Sequence, residues 1–364
     1  DWLAELILRK MGISAEGLLN MREKGLDPLD LRFLDPGVGT GTFLTLVIQA
    51  IGRYLRELYG DEIPSEIAKE ALIKITKNIV GFDIDAIAIL TARTCYLIAL
   101  AAIGLLQHKH GESIELPIYL TNSMITAEEL PADIIIDELG VTIKGMKIET
   151  YAGTFSIPER LILEGLILDI LTDLKQELEG EARPDDVMER IKARYKLTEP
   201  EAYAIKYLYS KLLELERKDG AGRVLIPIIK GHVISTVFRQ RFDYIIGNPP
   251  WLAYRYIASP EYQEVIKSLI KDRYGLVLDE HLMTHMEMAT LFFVRSIDLY
   301  LDPKGMNMIG FVMPRAICSA DQHDRFRRGD ISGVSFKIKL FIDLEGVEPL
   351  FYVPACAVIA RREG

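Results

Sequence analysis

The segment from residue 31 to residue 44 constrains the fold more than any other part of the chain. It predicts a short buried strand, Leu31–Leu34, then a glycine-rich loop from Asp35 to Gly41, and then an apolar helix. The glycines of this loop allow the backbone to turn tightly and to approach a ligand closely. Such a loop after a first strand favours a doubly wound α/β fold that binds a nucleotide-like cofactor. The spacing matches neither G-x-G-x-x-G nor a P-loop, which carries Lys followed by Ser or Thr.

Two further apolar segments predict strands that end in polar residues suited to a nucleoside. Residues 78–82 are followed by Asp83, and an acidic residue at the end of a second strand can accept hydrogen bonds from both ribose hydroxyls. Residues 116–120 are followed by Asn122, whose amide can bind the edge of an adenine ring. The carboxyl ends of parallel strands share one edge of a sheet, so the sequence predicts a cofactor site at that edge.

A fourth apolar segment, Phe242–Gly247, runs directly into Asn248-Pro249-Pro250-Trp251. The two prolines fix φ at about −65° and remove two backbone donors, which leaves the neighbouring carbonyl groups able to accept hydrogen bonds from a ligand. The Asn248 side chain supplies another acceptor, and Trp251 offers a flat face for stacking. Two acceptors beside a stacking plane favour a planar amine, such as the exocyclic nitrogen of a base rotated out of a duplex.

Taken in order, these motifs resemble those of gamma-class N6-adenine DNA methyltransferases. These are the methylases of type I and type IIG restriction-modification and related phage-defence systems. The motifs are Asp-Pro-x-x-Gly-x-Gly, Gly-Phe-Asp-Ile-Asp, Thr-Asn-Ser and Asn-Pro-Pro-Trp. The segments 288–293 and 311–314 and the predicted last strands, 340–344 and 355–360, continue the resemblance. It covers the chain from end to end apart from a long central insertion.

The resemblance implies an α/β, Rossmann-like, S-adenosylmethionine-dependent methyltransferase fold with a mostly parallel seven-stranded sheet and a helical insertion. It divides the chain into a cofactor-binding half, 1–123, a mainly helical insertion, 124–241, and a catalytic half, 242–364. In the family the target-recognition domain follows the last catalytic strand, so this domain is expected to be absent from the chain. A Thr-Pro segment that contacts the cofactor in the family is also absent.

The resemblance implies S-adenosylmethionine as cofactor and no metal. The loop after the first strand is expected to contact the methionine part of this cofactor. The other cofactor-binding residues are expected to contact its ribose and its adenine ring. The expected cofactor-binding residues are Asp35, Gly37, Gly39, Gly41, Asp83, Ile84, Asn122 and Phe293. The expected catalytic residues are Asn248, Pro249, Pro250 and Trp251. The target base is expected to stack on Trp251, with Phe351 as a second stacking face, while Asn248 and the Pro249 carbonyl accept the two amine hydrogens.

The expected activity is methylation of the N6 amine of adenine in DNA, within a restriction-modification or phage-defence system. Methylases of RNA amines and of protein glutamine amides also use Asn-Pro-Pro-aromatic, because all of them hold a planar NH₂ group. A non-catalytic methylase-like subunit of a defence complex is a further alternative. Trp251 and the flanking segments favour DNA adenine. The expected partners are double-stranded DNA, through the absent recognition domain, and other restriction or defence subunits.

The charge of the chain bears directly on DNA binding. A net charge of −10 is opposite to the basic surface that nucleic-acid enzymes present to phosphates. Either the DNA-contacting surface lies in the recognition domain, which is the favoured interpretation, or the substrate is not DNA. Arginines at 325, 327 and 328 form a local basic patch, which is either a solvated loop or a phosphate contact.

Neither a metal site nor a membrane segment is expected. His281, His285 and Glu287 lack the His-Glu-x-x-His pattern of zinc enzymes. The apolar run 90–106 contains Arg93 and is predicted to be a buried helix rather than a membrane span. The cysteines at 95, 318 and 356 match no zinc or redox spacing and are predicted to be small core residues. A cytoplasmic location is expected, with no membrane partner.

The central insertion shows a different pattern from the rest of the chain. Alternating residues between 134 and 151 predict a short β-ribbon. Ser156 and Glu159 form a Ser-x-x-Glu helix start, and amphipathic helices are predicted at 160–178, 184–195 and 199–217. The insertion carries no catalytic constellation. It is either a helical subdomain packed on the core or a surface for a partner or DNA.

Overall fold

The computed structural model describes residues 2–108, 114–125, 131–150, 153–257, 260–277, 279–329, 331–347 and 351–363. The contacts between residues group the chain into two compact units. The first unit comprises Asp1–Ile118 and Arg239–Gly364, and the second comprises Tyr119–Phe238. The first unit is therefore assembled from two stretches of chain that are separated by the second unit.

The larger of two sheets has seven strands and is mostly parallel, as predicted. The strands are β1 (Phe33–Asp35), β2 (Ile79–Asp83), β3 (Ile118–Leu120), β7 (Tyr244–Gly247), β8 (Met308–Pro314), β9 (Phe336–Asp343) and β10 (Ala355–Arg362), with β4 to β6 in the second unit. Their order in the sheet is β3-β2-β1-β7-β8-β10-β9. β1 pairs in parallel with β2 and β7, and β7 with β8, whereas β10 is antiparallel to both of its neighbours.

The pairing of β1 with β7 is reinforced by charged side chains at their amino ends. The Arg32 guanidinium donates to both oxygens of Asp243, at 2.9 and 3.1 Å, and to Asp302 at 2.9 Å. These hydrogen bonds hold the Arg32 pKa above its usual value, with the Asp243 bond as the main cause. β7 itself is buried along its whole length, as expected for a parallel strand covered on both faces.

The first unit also contains helices. They are α1 (Trp2–Lys10), α2 (Ala15–Glu23), α3 (Thr42–Tyr59), α4 (Ser65–Asn78), α5 (Ala86–Ala102), α11 (Pro260–Ser268), α12 (Glu280–Met283), α13 (Met288–Tyr300) and α14 (Asp324–Arg328). The prediction of a buried helix after residue 90 holds for only one face of α5, because Ile87 is 75% exposed and Leu90 is 68% exposed. None of the helices within the described residues is long and apolar enough to cross a membrane.

The second unit combines a small antiparallel sheet with helices. Its elements are β4 (Pro131–Ile136), β5 (Val141–Thr150), β6 (Gly153–Pro158), α6 (Glu159–Leu163), α7 (Leu166–Glu179), α8 (Pro184–Tyr195), α9 (Glu199–Asp219) and α10 (Ala221–Val237). The strands pair in the order β4-β5-β6, and apolar side chains of β5 and β6 share one core with those of the helices. The helix start predicted at Ser156 is wrong, since this residue lies in β6 and α6 begins at Glu159. Gly165, with a φ of 74°, separates α6 from α7, so the helix predicted over 160–178 is two helices.

Candidate functional site

The glycine-rich loop is bound to the end of β2 by two backbone donors. The Val38 N–H donates to the Phe82 carbonyl at 2.8 Å, and the Gly39 N–H donates to Oδ2 of Asp83 at 2.9 Å. Oδ1 of Asp83 accepts the N–H of Asp85 at 3.0 Å. A carboxylate offers about four acceptor positions, so Asp83 retains the capacity to bind further donors.

Two glycines of the loop have a backbone conformation that favours glycine. Gly39 has a φ of 51°, and a Cβ built there would meet nothing within 4 Å. Gly41 has a φ of 85°, and a Cβ there would lie 3.2 Å from the Cα of Ala92 in α5. The Phe292 ring lies beside Gly37, at 3.6 Å from the position a Cβ would take. The loop thus packs closely on α5 at one end and has open space at Gly39.

Asp35, the last residue of β1, lies between this loop and β7. It is 2% exposed, and its Oδ1 accepts the Gly37 N–H at 3.1 Å. Burial is the main cause that raises the pKa of Asp35 to about 8; the Gly37 hydrogen bond opposes this shift, and the charge of Asp83 contributes to it. A Cβ built on Gly247 of β7 would lie 2.6 Å from Oδ1 of Asp35. The Asp35 carboxyl therefore packs directly against the backbone that leads into Asn248.

The Asn-Pro-Pro-Trp segment begins where β7 ends. Gly247 has a φ of 154°, and Asn248 and Pro250 are exposed while Pro249 is buried. Since β7 and β1 are parallel neighbours, an exposed amide after β7 and the glycine-rich loop after β1 lie at the same edge of the sheet.

Trp251 and Phe351, both predicted as stacking faces, contact each other. Their ring centroids are 4.9 Å apart with an angle of 55° between the planes. The Trp251 indole N–H donates to the Val312 carbonyl of β8 at 3.3 Å. A base inserted between two rings needs about 7 Å, twice a van der Waals contact of about 3.5 Å. The two rings are therefore too close for a base to insert between them, and a base can stack only on a ring face that points away from the other ring. Phe351, which is 42% exposed, supports Trp251 by contacting its ring.

A hydrogen-bonded framework that the sequence did not predict supports the segment after Trp251. The Tyr254 N–H donates to the Met286 carbonyl at 2.9 Å, and the Met288 N–H donates to the Leu252 carbonyl at 2.8 Å. Glu287 lies between these bonds, and its Oε2 is 3.1 Å from Nε2 of the fully buried His323. The pair is separated by 36 residues, so no local sequence pattern could have revealed it.

The other residues predicted to bind the cofactor differ in exposure and in contacts. Ile84 is 74% exposed directly after Asp83, so its side chain is open to a ligand. Phe293 is fully buried and packs edge-to-face on Phe311 and Phe326, and its neighbour Phe292 is the ring beside the loop. Asn122 belongs to the second unit, where its Oδ1 accepts the Met124 N–H at 2.9 Å.

The arginines of the basic patch have partners within the protein. Arg325 donates to the Gly275 carbonyl, Arg327 donates to the Ile317 and Ala320 carbonyls, and Arg328 pairs with Asp324 at 2.9 Å. These contacts favour a structural role for the patch. Within the described parts of the chain, no group of three or more His, Cys, Asp or Glu side chains is arranged to hold a metal ion.

The fold and the site together define an α/β protein that is compatible with a methyltransferase fold. The family model of the Eco57I restriction-modification methylases matches residues 77–351, and the chain belongs to that family. No curated protein sequence matches the chain.

Three solved structures are similar to the chain at low identity. A nuclease-deletion mutant of the Type ISP restriction-modification enzyme LlaGI, in complex with a DNA substrate mimic, has a TM-score of 0.47 and 12% identity over 97% of this chain. The ATP-dependent Type ISP enzyme LlaBIII, bound to DNA, has a TM-score of 0.48 and 13% identity over 97%. The DrdV–DNA complex has a TM-score of 0.48 and 14% identity over 98%. The matched regions cover 22%, 18% and 26% of those chains respectively.

Proposed function

We propose that this chain methylates the N6 amine of adenine in DNA with S-adenosylmethionine as methyl donor, in a restriction-modification or phage-defence system. Membership of the Eco57I family supports methylation as the class of reaction. The observation that carries the proposal is the position of Asn248. Its exposed amide follows β7, beside β1, and the buried carboxyl of Asp35 packs against the backbone just before it.

S-adenosylmethionine fits the residues at the end of the sheet. The open space at Gly39 leaves room for its methionine part, and the Asp83 carboxylate has lone pairs to accept the ribose hydroxyls. Exposed Ile84 offers an apolar surface for the adenine ring. When bound, S-adenosylmethionine supplies an electrophilic methyl group on a sulfonium.

We assign the aromatic contact with the cofactor to Phe292 rather than Phe293. Phe292 lies 3.6 Å from the position of a Cβ on Gly37, within the loop itself. Phe293 has no exposed surface and is surrounded by other phenylalanine rings. The two residues are adjacent in α13, so they point in directions about 100° apart around the helix.

The chain's own residues hold the target amine. Oδ1 of Asn248 and the Pro249 carbonyl each accept one hydrogen of the NH₂ group, and Pro250 keeps the backbone of the segment rigid. These two hydrogen bonds draw the nitrogen toward tetrahedral geometry and localise its lone pair for attack on the methyl group. The rate then comes from positioning and from a preorganised polar site, and no strong base is needed. The surplus proton of the methylated amine leaves to water at this exposed edge.

Trp251 provides the stacking face for the target base. Its indole N–H is fixed by the Val312 carbonyl, and Phe351 contacts its ring, so the plane is held before a base arrives. Double-stranded DNA is proposed to reach the site through a target-recognition domain outside this chain. This arrangement accounts for a net charge of −10 in an enzyme that acts on DNA.

Transfer of a radiolabelled methyl group tests the proposal. The full-length gene product is incubated with labelled S-adenosylmethionine and unmethylated genomic DNA, total RNA or cell protein, followed by nucleoside and amino-acid analysis. We expect label in DNA as N6-methyladenine. Label in RNA or in glutamine would show that the chain methylates an amine of RNA or of protein instead of DNA. Cofactor binding without label in any acceptor would favour a non-catalytic subunit.

A further inference from the structure

His323 is a buried histidine whose two ring nitrogens both have hydrogen-bond partners. Its side chain has no exposed surface. Its Nδ1 lies 3.0 Å from Oγ1 of Thr290, which is also fully buried, and its Nε2 lies 3.1 Å from Oε2 of Glu287. Burial of a polar side chain is costly unless it is hydrogen-bonded, so these two contacts define the orientation of the ring.

The segment that carries His323 is held by contacts of its own. The backbone N–H of His323 donates to the Ala320 carbonyl at 3.1 Å, and the Arg327 guanidinium donates to the same carbonyl at 2.8 Å. Phe326, in the helix that follows, is fully buried and packs edge-to-face on Phe293, with ring centroids 5.2 Å apart. His323 is therefore a fixed point of the core to which the Glu287 side chain is hydrogen-bonded.

Glu287 in turn faces the segment that follows Trp251. It forms an isolated antiparallel bridge with Ala253, two residues after Trp251. Hydrogen bonds of 2.9 and 2.8 Å on either side of this bridge pair residues 252–254 with residues 286–288. A movement of Glu287 therefore displaces the backbone that directly follows the Trp251 ring.

We propose that His323 is a positioning residue for Trp251: it holds Glu287, and Glu287 holds the backbone after the stacking ring. This role rests on the proposed function, since it takes Trp251 to be the stacking face for the target base. Trp251 is then fixed twice, because the Val312 carbonyl accepts its indole N–H at 3.3 Å and the Glu287–His323 pair fixes the residues that follow it. A catalytic group needs supporting hydrogen bonds of this kind to keep its productive geometry.

The chemistry of Glu287 decides which ring nitrogen matters for this role. A carboxylate can only accept hydrogen bonds, so Nε2 of His323 carries the N–H that Glu287 accepts. In the neutral ring Nδ1 is then an acceptor, and the Thr290 hydroxyl donates to it. The Nε2 contact is the link to the catalytic segment, and the Nδ1 contact orients the ring that makes it.

The fluorescence of Trp251 tests the proposal without any methyl acceptor. The chain has two tryptophans, and Trp2 is 50% exposed, so Trp2→Phe leaves Trp251 as the reporter. In this background we expect His323→Ala to shift the Trp251 emission to longer wavelength and to raise its quenching by acrylamide. The reason is that the ring loses its fixed position and becomes more accessible to water. Glu287→Ala breaks the same contact from a partly exposed side chain and should give the same result, so it supplies the measurement if His323→Ala does not fold.

Matched variants separate the Glu287 contact from a general loss of stability. The amide nitrogen introduced by His323→Gln lies near the position of Nε2 and can still donate to Glu287, so the Trp251 emission should stay close to that of the wild type. His323→Asn places its amide near Nδ1 instead and should behave as His323→Ala. Asn78→Ala is the stability control, because it removes another buried hydrogen bond, to the Leu29 carbonyl at 2.9 Å, just before β2. Unchanged emission in folded His323→Ala or Glu287→Ala, or an equal change in Asn78→Ala, would overturn the proposal.

Kinetics on the full-length gene product supply a second measurement. We expect His323→Ala to lower kcat by about 10- to 100-fold, the scale expected for a misplacement of up to about 1 Å, with the cofactor Kd unchanged. His323→Gln should recover most of this loss. A fall in kcat accompanied by equally weakened cofactor binding would show a purely structural role and would contradict the proposal. If the wild-type protein labels no acceptor, the proposed function fails, and the Trp251 emission alone decides whether His323 positions the ring.

Discussion

Replacing Gly247 with alanine tests the contact between the cofactor loop and the catalytic segment. A Cβ at this position would lie 2.6 Å from Oδ1 of Asp35, a distance that real Cβ contacts essentially never show, and 3.1 Å from its Cγ. Asp35 is 2% exposed, so its carboxyl has little room to turn away. Overpacking of this kind costs about 1–3 kcal/mol, and a Cβ-bearing residue held at a φ of 154° adds to it.

We therefore expect Gly247→Ala to lower the free energy of unfolding by about 2–4 kcal/mol. Methyl transfer should fall by about 100-fold, the effect expected when the next residue, Asn248, is displaced by about 1 Å. Urea unfolding followed by circular dichroism measures the first quantity, and labelled methyl transfer measures the second. Gly346→Ala is the matched control, because a Cβ there meets nothing within 4 Å and should change stability by less than about 0.5 kcal/mol.

A double-mutant cycle identifies the source of the strain. Asp35→Ala removes the carboxyl that Gly247→Ala would strike. In that background we expect the Gly247→Ala penalty to shrink by about 1–3 kcal/mol, the usual coupling of residues in contact. An equal penalty in both backgrounds would refute the reasoning, because the strain would then arise from backbone conformation alone.

The remaining predictions concern the other groups of the site. Asn248→Ala should abolish methyl transfer with little change in cofactor affinity measured by calorimetry, and Asn20→Ala, an exposed control in α2, should leave both unchanged. Asp83→Ala should weaken cofactor binding by about 1.5–3 kcal/mol, as for a hydrogen bond to a charged group, whereas exposed Asp61→Ala should not. The pKa of Asp35 is about 8 in the folded chain and about 4 in the unfolded chain, so between these values the folded state binds more protons. Stability should therefore fall as pH rises from 4 to 8, on the order of 1 kcal/mol per pH unit relative to Asp35→Asn. A wild-type pH profile parallel to that of Asp35→Asn would contradict this assignment.

The sequence predicted those parts of the fold that depend on local backbone chemistry. The glycines after β1 widen the choice of backbone dihedral angles, and the prolines after β7 restrict it. Both effects belong to single residues, so the loop and the rigid segment can be predicted without tertiary structure. β6 was missed because Ser156 and Glu159 imitate a helix start, whereas residues 153–158 are held by pairing with β5. That pairing is a property of the sheet and has no local pattern.

Gly222 is a packing site that no local sequence pattern reveals. Gly222 lies inside α10, and a Cβ there would lie 2.2 Å from the Leu212 carbonyl, so glycine allows α9 and α10 to approach. Pro227 also lies inside this helix and further obscured its pattern. In the site, Phe292 and Phe293 are equivalent in sequence terms, and only the packing of α13 decides which ring lies beside the loop.

The pairing of β1 with β7 also sets the order in which the chain can fold during synthesis. Arg32 and Asp243 are 211 residues apart, and between them lies the whole second unit. At about 5–20 residues per second, a ribosome needs about 10–40 s to pass from one to the other. The second unit is complete before β7 emerges, so it can fold while β1 and β2 still lack the neighbour that completes their sheet. Contacts of such long range slow folding, and the exposed edge of β1 during this interval is the part of the nascent chain most in need of protection.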